Sequence, residues 1–119
     1  MKFTEEHEWL LVEDDIVVVG ITKHAADALG ELVFVELPEV GVEVTKDEDI
    51  VVIESVKAAS DIMAPIDGEI VEVNSELLEN PTLVNEDPMG KAWFFKMKPD
   101  NMADLDEMMD EAAYNALIA

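Results

Sequence analysis

The residue best placed to do chemistry is a lysine. In Ile50 to Pro65, IVVIESVKAASDIMAP, an apolar strand runs to Ser55 and a second extended stretch starts near Asp61. The link between them, Val56-Lys57-Ala58-Ala59, puts Lys57 near a hairpin tip with small residues after it. An amine so placed is exposed, reachable and unobstructed, as an enzyme requires in order to acylate it. Position alone leaves a plainer alternative open, a lysine that is merely solvated. Other reactive groups are few. The chain has no cysteine, which removes disulfides, thiolate metal sites and a cysteine nucleophile together. No Ser-His-Asp arrangement can be placed. His7 and His24 have metal-ligand chemistry, but they read as one strand-edge and one helix residue, and no metal site is expected.

Short strands must hold that tip. Trp9 to Val12 and Ile16 to Ile21 are rich in apolar and β-branched residues and are separated by the acidic turn Glu13-Asp14-Asp15. Thr22 as N-cap and Gly30 just past the end bracket a short helix over 23–29. Strands are expected at Leu32 to Leu37, Ile50 to Ser55, Ile62 to Ala64, Glu69 to Val73 and Trp93 to Lys98, with Asp67-Gly68 as a tight hairpin turn. After Pro99 the period changes. Met102, Leu105, Met108 and Met109, Ala112 and Ala116 recur at helical spacing, predicting a helix over about 101–117, capped by Asp100 or Asn101 and packed on the sheets. Two P-x-x-G segments, Pro38 to Gly41 and Pro65 to Gly68, each lead into alternating valines and isoleucines. If they are a true repeat, two similar β-halves pack face to face as a sandwich or flattened barrel.

Composition narrows the partners. At 119 residues the chain reads as one domain, 1–119, long enough to bury about two-thirds of its unfolded surface without staples. Half of its residues are hydrophobic, which argues against disorder. Seven lysines and no arginine face 29 acids, for a net charge of -22. Nucleic acid needs cations to replace its counterions, so it is excluded as a partner, and an anionic membrane surface is disfavoured for the same reason. No apolar run approaches the ~20 residues of a membrane span. The N-terminal MKFTEEHEW carries acids where a signal peptide has a basic and then an apolar stretch, so a soluble, unexported chain is expected.

Beyond these readings, ESVKAASD at Glu54 to Asp61 resembles the lipoylation segment of glycine cleavage H-proteins. EHEW at Glu6 to Trp9, GIT at Gly20 to Thr22, FVELPEVG at Phe34 to Gly41, PIDGEIVEVN at Pro65 to Asn74 and LVNEDP at Leu83 to Pro88 resemble that family too, in its order. The likeness runs from about Phe3 to the C-terminal helix. Biotin carriers usually have methionine on both sides of the lysine, where this chain has Val56 and Ala58. Lipoyl domains of 2-oxoacid dehydrogenases commonly place aspartate before the lysine and lack EHEW and the C-terminal helix.

The resemblance implies a mainly β, lipoyl/biotinyl-type hammerhead fold and a non-catalytic carrier with lipoate joined to Lys57 as an amide. It implies visits to three enzymes: glycine decarboxylase (P-protein), aminomethyltransferase (T-protein) and dihydrolipoyl dehydrogenase (L-protein). It also implies charging by a lipoate ligase or a lipoyl/octanoyl transferase, on a monomer. Glu8 and Asp61 match positions associated with holding the cationic aminomethyl group against the domain. Glu6 stands where relatives often carry a small hydroxyl residue, so contacts from that position are in doubt. A relay that passes lipoyl or octanoyl groups to other lipoyl domains is the alternative, and an interaction protein with an unmodified Lys57 is a third reading. Bacterial or archaeal cytoplasm is the expected location, with a mature mitochondrial form as the other.

Overall fold

Local pairing builds the first hairpin. In the computed structural model, which describes residues 1–119, β2 (Glu8–Glu13) turns through Asp14-Asp15 into β3 (Ile16–Ile21), with Glu13 opposite Ile16. Asp14 takes a left-handed φ of 58°, which aspartate tolerates better than most residues and which a two-residue hairpin turn demands. β1 (Lys2–Phe3) pairs with β2, and β9 (Phe95–Pro99) with β3. β8 (Gly68–Val73) and β5 (Glu43–Val44) follow, giving a six-stranded sheet in the order β1-β2-β3-β9-β8-β5. A second sheet has β4 (Leu32–Glu36), β6 (Asp49–Ser55) and β7 (Ala59–Met63) in the order β4-β6-β7.

The two sheets bury their facing side chains in one core of 22 residues. Val17, Val19, Ile70 and Phe95 come from the large sheet, and Val35, Val51, Ile53 and Ile62 from the small one. Neither sheet closes on itself, so the fold is the expected mainly β sandwich and not a barrel. A smaller cluster of Phe3, Trp9, Val18 and Tyr114 lies under the C-terminal helix. Trp9 lies flat on Gly20, its cross-strand partner, where an added Cβ would stand 2.5 Å from the ring. Its indole N–H donates to the Pro88 carbonyl at 2.9 Å.

Helix α1 (Lys23–Leu29) forms where its caps predict. The Thr22 hydroxyl accepts the Ala25 N–H, and Gly30, at φ 79°, returns its N–H to Ala26.

Two expectations change, and two short helices appear where none was expected. Asp67-Gly68 is not a hairpin turn. It carries the chain from β7 in the small sheet to β8 in the large one, and Asp67 accepts the Lys46 N–H at 2.6 Å. Gly68 lies between Val44 and Pro99, and a Cβ there would collide with the Lys98 carbonyl oxygen. The glycine serves close backbone approach, and the two P-x-x-G segments end side by side, with Gly41 N–H on Ile70 O at 2.7 Å. Two short helices, α2 (Glu76–Glu79) and α3 (Leu83–Glu86), occupy a stretch with no helical periodicity. The helix expected over 101–117 is broken into a 3₁₀ turn (Met102–Glu107), capped by Asn101, and α4 (Glu111–Ile118), capped by Asp110. The cause is Met109. Its N–H and C=O both bond Phe3, at 3.1 and 2.9 Å, so they cannot serve a continuous helix.

Candidate functional site

Register fixes the lysine. Glu54 pairs with Ala59, which leaves Ser55 to Ala58 to turn the chain. The Ser55 hydroxyl accepts the N–H groups of Lys57 and Ala58, each at 3.2 Å. The Ser55 N–H reaches the Ala58 carbonyl at 2.8 Å, and the Val56 N–H reaches Glu31 O at 3.0 Å. The tip backbone is therefore held from within and from the neighbouring strand, while Val56, Lys57, Ala58 and Ala59 stay exposed. The Lys57 amine makes no ion pair. Its stem lies over Gly30, where an added Cβ would stand 3.3 Å from Cε.

Asn85 anchors the floor of the tip. Its amide donates to the Gly30 carbonyl at 2.6 Å and accepts the Leu32 N–H at 2.9 Å. Sequence reasoning did not single out Asn85. It lies 28 residues from Lys57, with no local pattern linking the two.

Glu8 is the unusual acid. It opens β2 two residues before Leu10, so strand alternation turns both inward, and Glu8 is 3 % exposed. It lies in a cleft of about 390 Å³ whose walls include Thr4, Glu6, Lys46, Asp47, Met63 and Met108. The Thr4 hydroxyl donates to its carboxylate at 3.0 Å. Burial pushes the carboxyl up to about 7, with Glu6 and Asp47 adding repulsion and the Thr4 bond pulling the other way. A carboxyl so poised ionises readily when a cation arrives beside it.

Asp61 lies outside the cleft walls, exposed on the outer face of the small sheet in the cross-strand row Glu36–Val52–Asp61. Alternation places Ala59, Asp61 and Met63 on that same outer side of β7, and Met63 belongs to the cleft. The three form a track from the lysine tip to the Glu8 cleft, about 14 Å long at strand spacing. Glu6 is exposed at the cleft edge.

The two histidines, read separately in the sequence, meet. Their ring centroids are 4.7 Å apart. His7, just before β2, holds a left-handed φ of 66° and hydrogen-bonds the Tyr114 hydroxyl through Nδ1 at 2.8 Å. That hydroxyl also bonds Thr22 at 2.7 Å, and the Tyr114 ring stacks on Phe3. Burial lowers the His7 pKa, His24 lowers it further, and Glu6 opposes both. The network ties α4 to the start of α1 beside the strand that carries Glu8.

The small sheet of the sandwich thus holds one lysine without an ion pair at an exposed hairpin tip. Residues 1–119 match the family described as Glycine cleavage H-protein. Glycine cleavage system H proteins of Acinetobacter baumannii strains AYE and SDF are each 53 % identical to this chain over 116 residues, covering 98 % of it and 94 % of theirs. The crystal structure of a glycine cleavage system H protein from Mycobacterium marinum superposes with a TM-score of 0.88 at 37 % identity, covering 98 % of this chain and 94 % of that one. The chain belongs to the glycine cleavage H-protein family, whose members are carrier subunits and not catalysts.

Proposed function

We propose that this chain is the lipoyl-bearing shuttle of the glycine cleavage system, a single carrier domain with its lipoyl group on Lys57. The observation that carries this is the continuity of the exposed amine, the outer side of β7 and the buried carboxyl of Glu8. Lys57 fits the group: its amine is unpaired, and glycine, not a larger residue, lies beneath its stem. When attached, the lipoyl group would supply a disulfide able to accept the aminomethyl cargo from glycine decarboxylase and to be re-formed by dihydrolipoyl dehydrogenase. The aminomethyltransferase removes the cargo between those visits.

The protein's own residues supply position and charge. Ser55 and Glu31 hold the tip, so the arm swings from a fixed point and its end is presented to each partner at high effective concentration. Asp61 attracts the cationic amine along the track. Glu8, oriented by Thr4, gives up its proton as the amine settles and forms a charge-assisted hydrogen bond inside the cleft. The half-buried side chains of Met63 and Met108 limit water there. This arrangement favours the shuttle over the lipoyl relay, which has no cation to hold. By the same reading the protein works as a monomer in a bacterial or archaeal cytoplasm and is charged there by a lipoate ligase or a lipoyl/octanoyl transferase.

Intact-protein mass of the native protein, together with Lys57→Arg, tests the assignment. The native chain should carry one lipoyl group, and the variant none. The variant should melt within a few degrees of the parent, since exposed changes usually cost under about 0.5 kcal/mol. Glycine-dependent methylene-tetrahydrofolate formation by the variant would refute the reading.

A further inference from the structure

The lysine tip carries more exposed apolar surface than its folding role explains. Of the eleven large hydrophobic residues left exposed, three adjoin it: Val33 at 54 %, Phe34 at 43 % and Val56 at 63 %. A β-bulge causes the first two exposures. Leu32 pairs with Ser55 and Phe34 with Glu54, so Val33 is the extra residue on β4, and Val33 and Phe34 are both exposed. Val56 is pinned alongside by its N–H bond to Glu31. Two acids, Glu31 and Glu54, border the cluster, both exposed and neither ion-paired.

From this arrangement we propose that Val33, Phe34 and Val56 form the docking surface for the acyl-transfer enzyme that charges Lys57, and that this enzyme presents an apolar socket with a basic rim. The proposal rests on Lys57 being the modified residue. Distance decides which partner uses the cluster. Amide formation joins Lys57 Nζ, deprotonated, to the carbon of an activated carboxyl group. The C–N bond forms as the bond to a phosphate or thiol leaving group breaks, and the proton lost from nitrogen goes to the leaving group or to a base. Nζ is only about 6 Å from its own Cα, so the enzyme must close over the tip itself. Enzymes that act at the far end of the lipoyl arm have their reacting atoms roughly 15 Å out, so the tip lies outside their reaction centres. The β-branched side chains of Val33 and Val56 have few rotamers to lose on being covered, which suits them as anchors. The bordering acids add steering, which salt weakens.

The test uses the full chain with Val33→Ser, Phe34→Ser and Val56→Ser combined, first checked by thermal melting. The parent and the variant are charged by a lipoate ligase supplied with ATP and lipoate, and Lys57 acylation is followed by intact mass. We expect kcat/KM for acylation to fall tenfold or more, and to recover when the three positions carry Ile, Leu and Ile. The variant, charged to completion with excess ligase, should then be loaded by glycine decarboxylase within threefold of the parent rate. Potassium chloride should slow acylation of the parent, and slow it less for Glu31→Gln combined with Glu54→Gln. Acylation unchanged within twofold overturns the proposal, as does an equal loss in acylation and decarboxylase loading. A parent that takes no acyl group at Lys57 overturns the shuttle assignment itself, a result that the serine variant alone cannot produce.

Discussion

Replacing Glu8 by glutamine should make the uncharged protein more stable near pH 8 and leave it almost unchanged near pH 4. The folded protein holds the Glu8 carboxyl at about 7 against an ordinary 4.5, mainly because its ionised form is buried. A raised carboxyl favours the folded state fully below 4.5, where both states are protonated. That contribution is lost as pH climbs through 4.5 to about 7, because the unfolded chain releases its proton first. The gap between 4.5 and about 7, at about 1.4 kcal/mol for each tenfold change, amounts to about 3 kcal/mol of penalty at pH 8. Glutamine has the shape of the protonated acid and keeps an oxygen to accept the Thr4 hydroxyl, so it avoids the penalty. For a chain of this length that corresponds to roughly 10 °C in Tm.

The assay is thermal melting of parent and Glu8→Gln across pH 4 to 8.5 at one fixed salt concentration. The general repulsion among the 29 acids affects both proteins alike and cancels in the difference. A difference that does not vary with pH, or a parent more stable than the variant at pH 8, would refute the burial argument. The same variant should lose the aminomethyl cargo faster once loaded. A substitution that strengthens the fold while weakening retention of the cargo would show that the carboxylate is kept for function, against stability.

The remaining predictions concern charge and the latch on α4. Asp61→Asn should shorten the lifetime of the loaded arm less than Glu8→Ala does, because Asp61 is exposed and its attraction is screened; equal decay in Asp61→Asn and parent would remove Asp61 from the track. Tyr114→Phe keeps the ring on Phe3 but removes the hydroxyl shared by His7 and Thr22, and should cost about 1–3 kcal/mol in urea unfolding. His7 titrates below its ordinary value, so its contribution to stability is present above pH 6.5 and fades as pH falls below it, opposite in slope to that of Glu8. His7→Gln should remove that loss, and melting curves at pH 5 and 8 measure it. Tm should rise with potassium chloride as the Debye length falls from ~10 Å at 0.1 M to ~3 Å at 1 M, since the four ion pairs engage few of the acids; a flat profile would mean that the surface charges are already well spread.

Residues that explain one another over a short stretch were legible in the sequence. Thr22 and Gly30 bracket α1 because each completes hydrogen bonds within its own helix, and Ser55 to Ala59 form a tip because the strands on either side pair directly. Where the partner is distant, the same signals mislead. Asp67-Gly68 has the look of a hairpin turn, yet the strands it joins belong to different sheets. The periodicity after Pro99 is helical, yet Met109 gives its backbone to Phe3, more than a hundred residues away. His7 and His24 meet because the β2–β3 register puts Thr22 beside His7, with its N–H on the His7 carbonyl, while Tyr114, near the far end of the chain, fixes the His7 ring. Glu8 falls between these cases. Family likeness pointed to it among 29 acids, while a physical sign lay unused in the alternation Glu8–Leu10, which turns the carboxyl to the buried side of its strand. An acid on the buried side of a strand is a local conflict, and such conflicts mark places where a sequence gives up stability for something else. The likeness and the conflict are independent, and they select the same side chain.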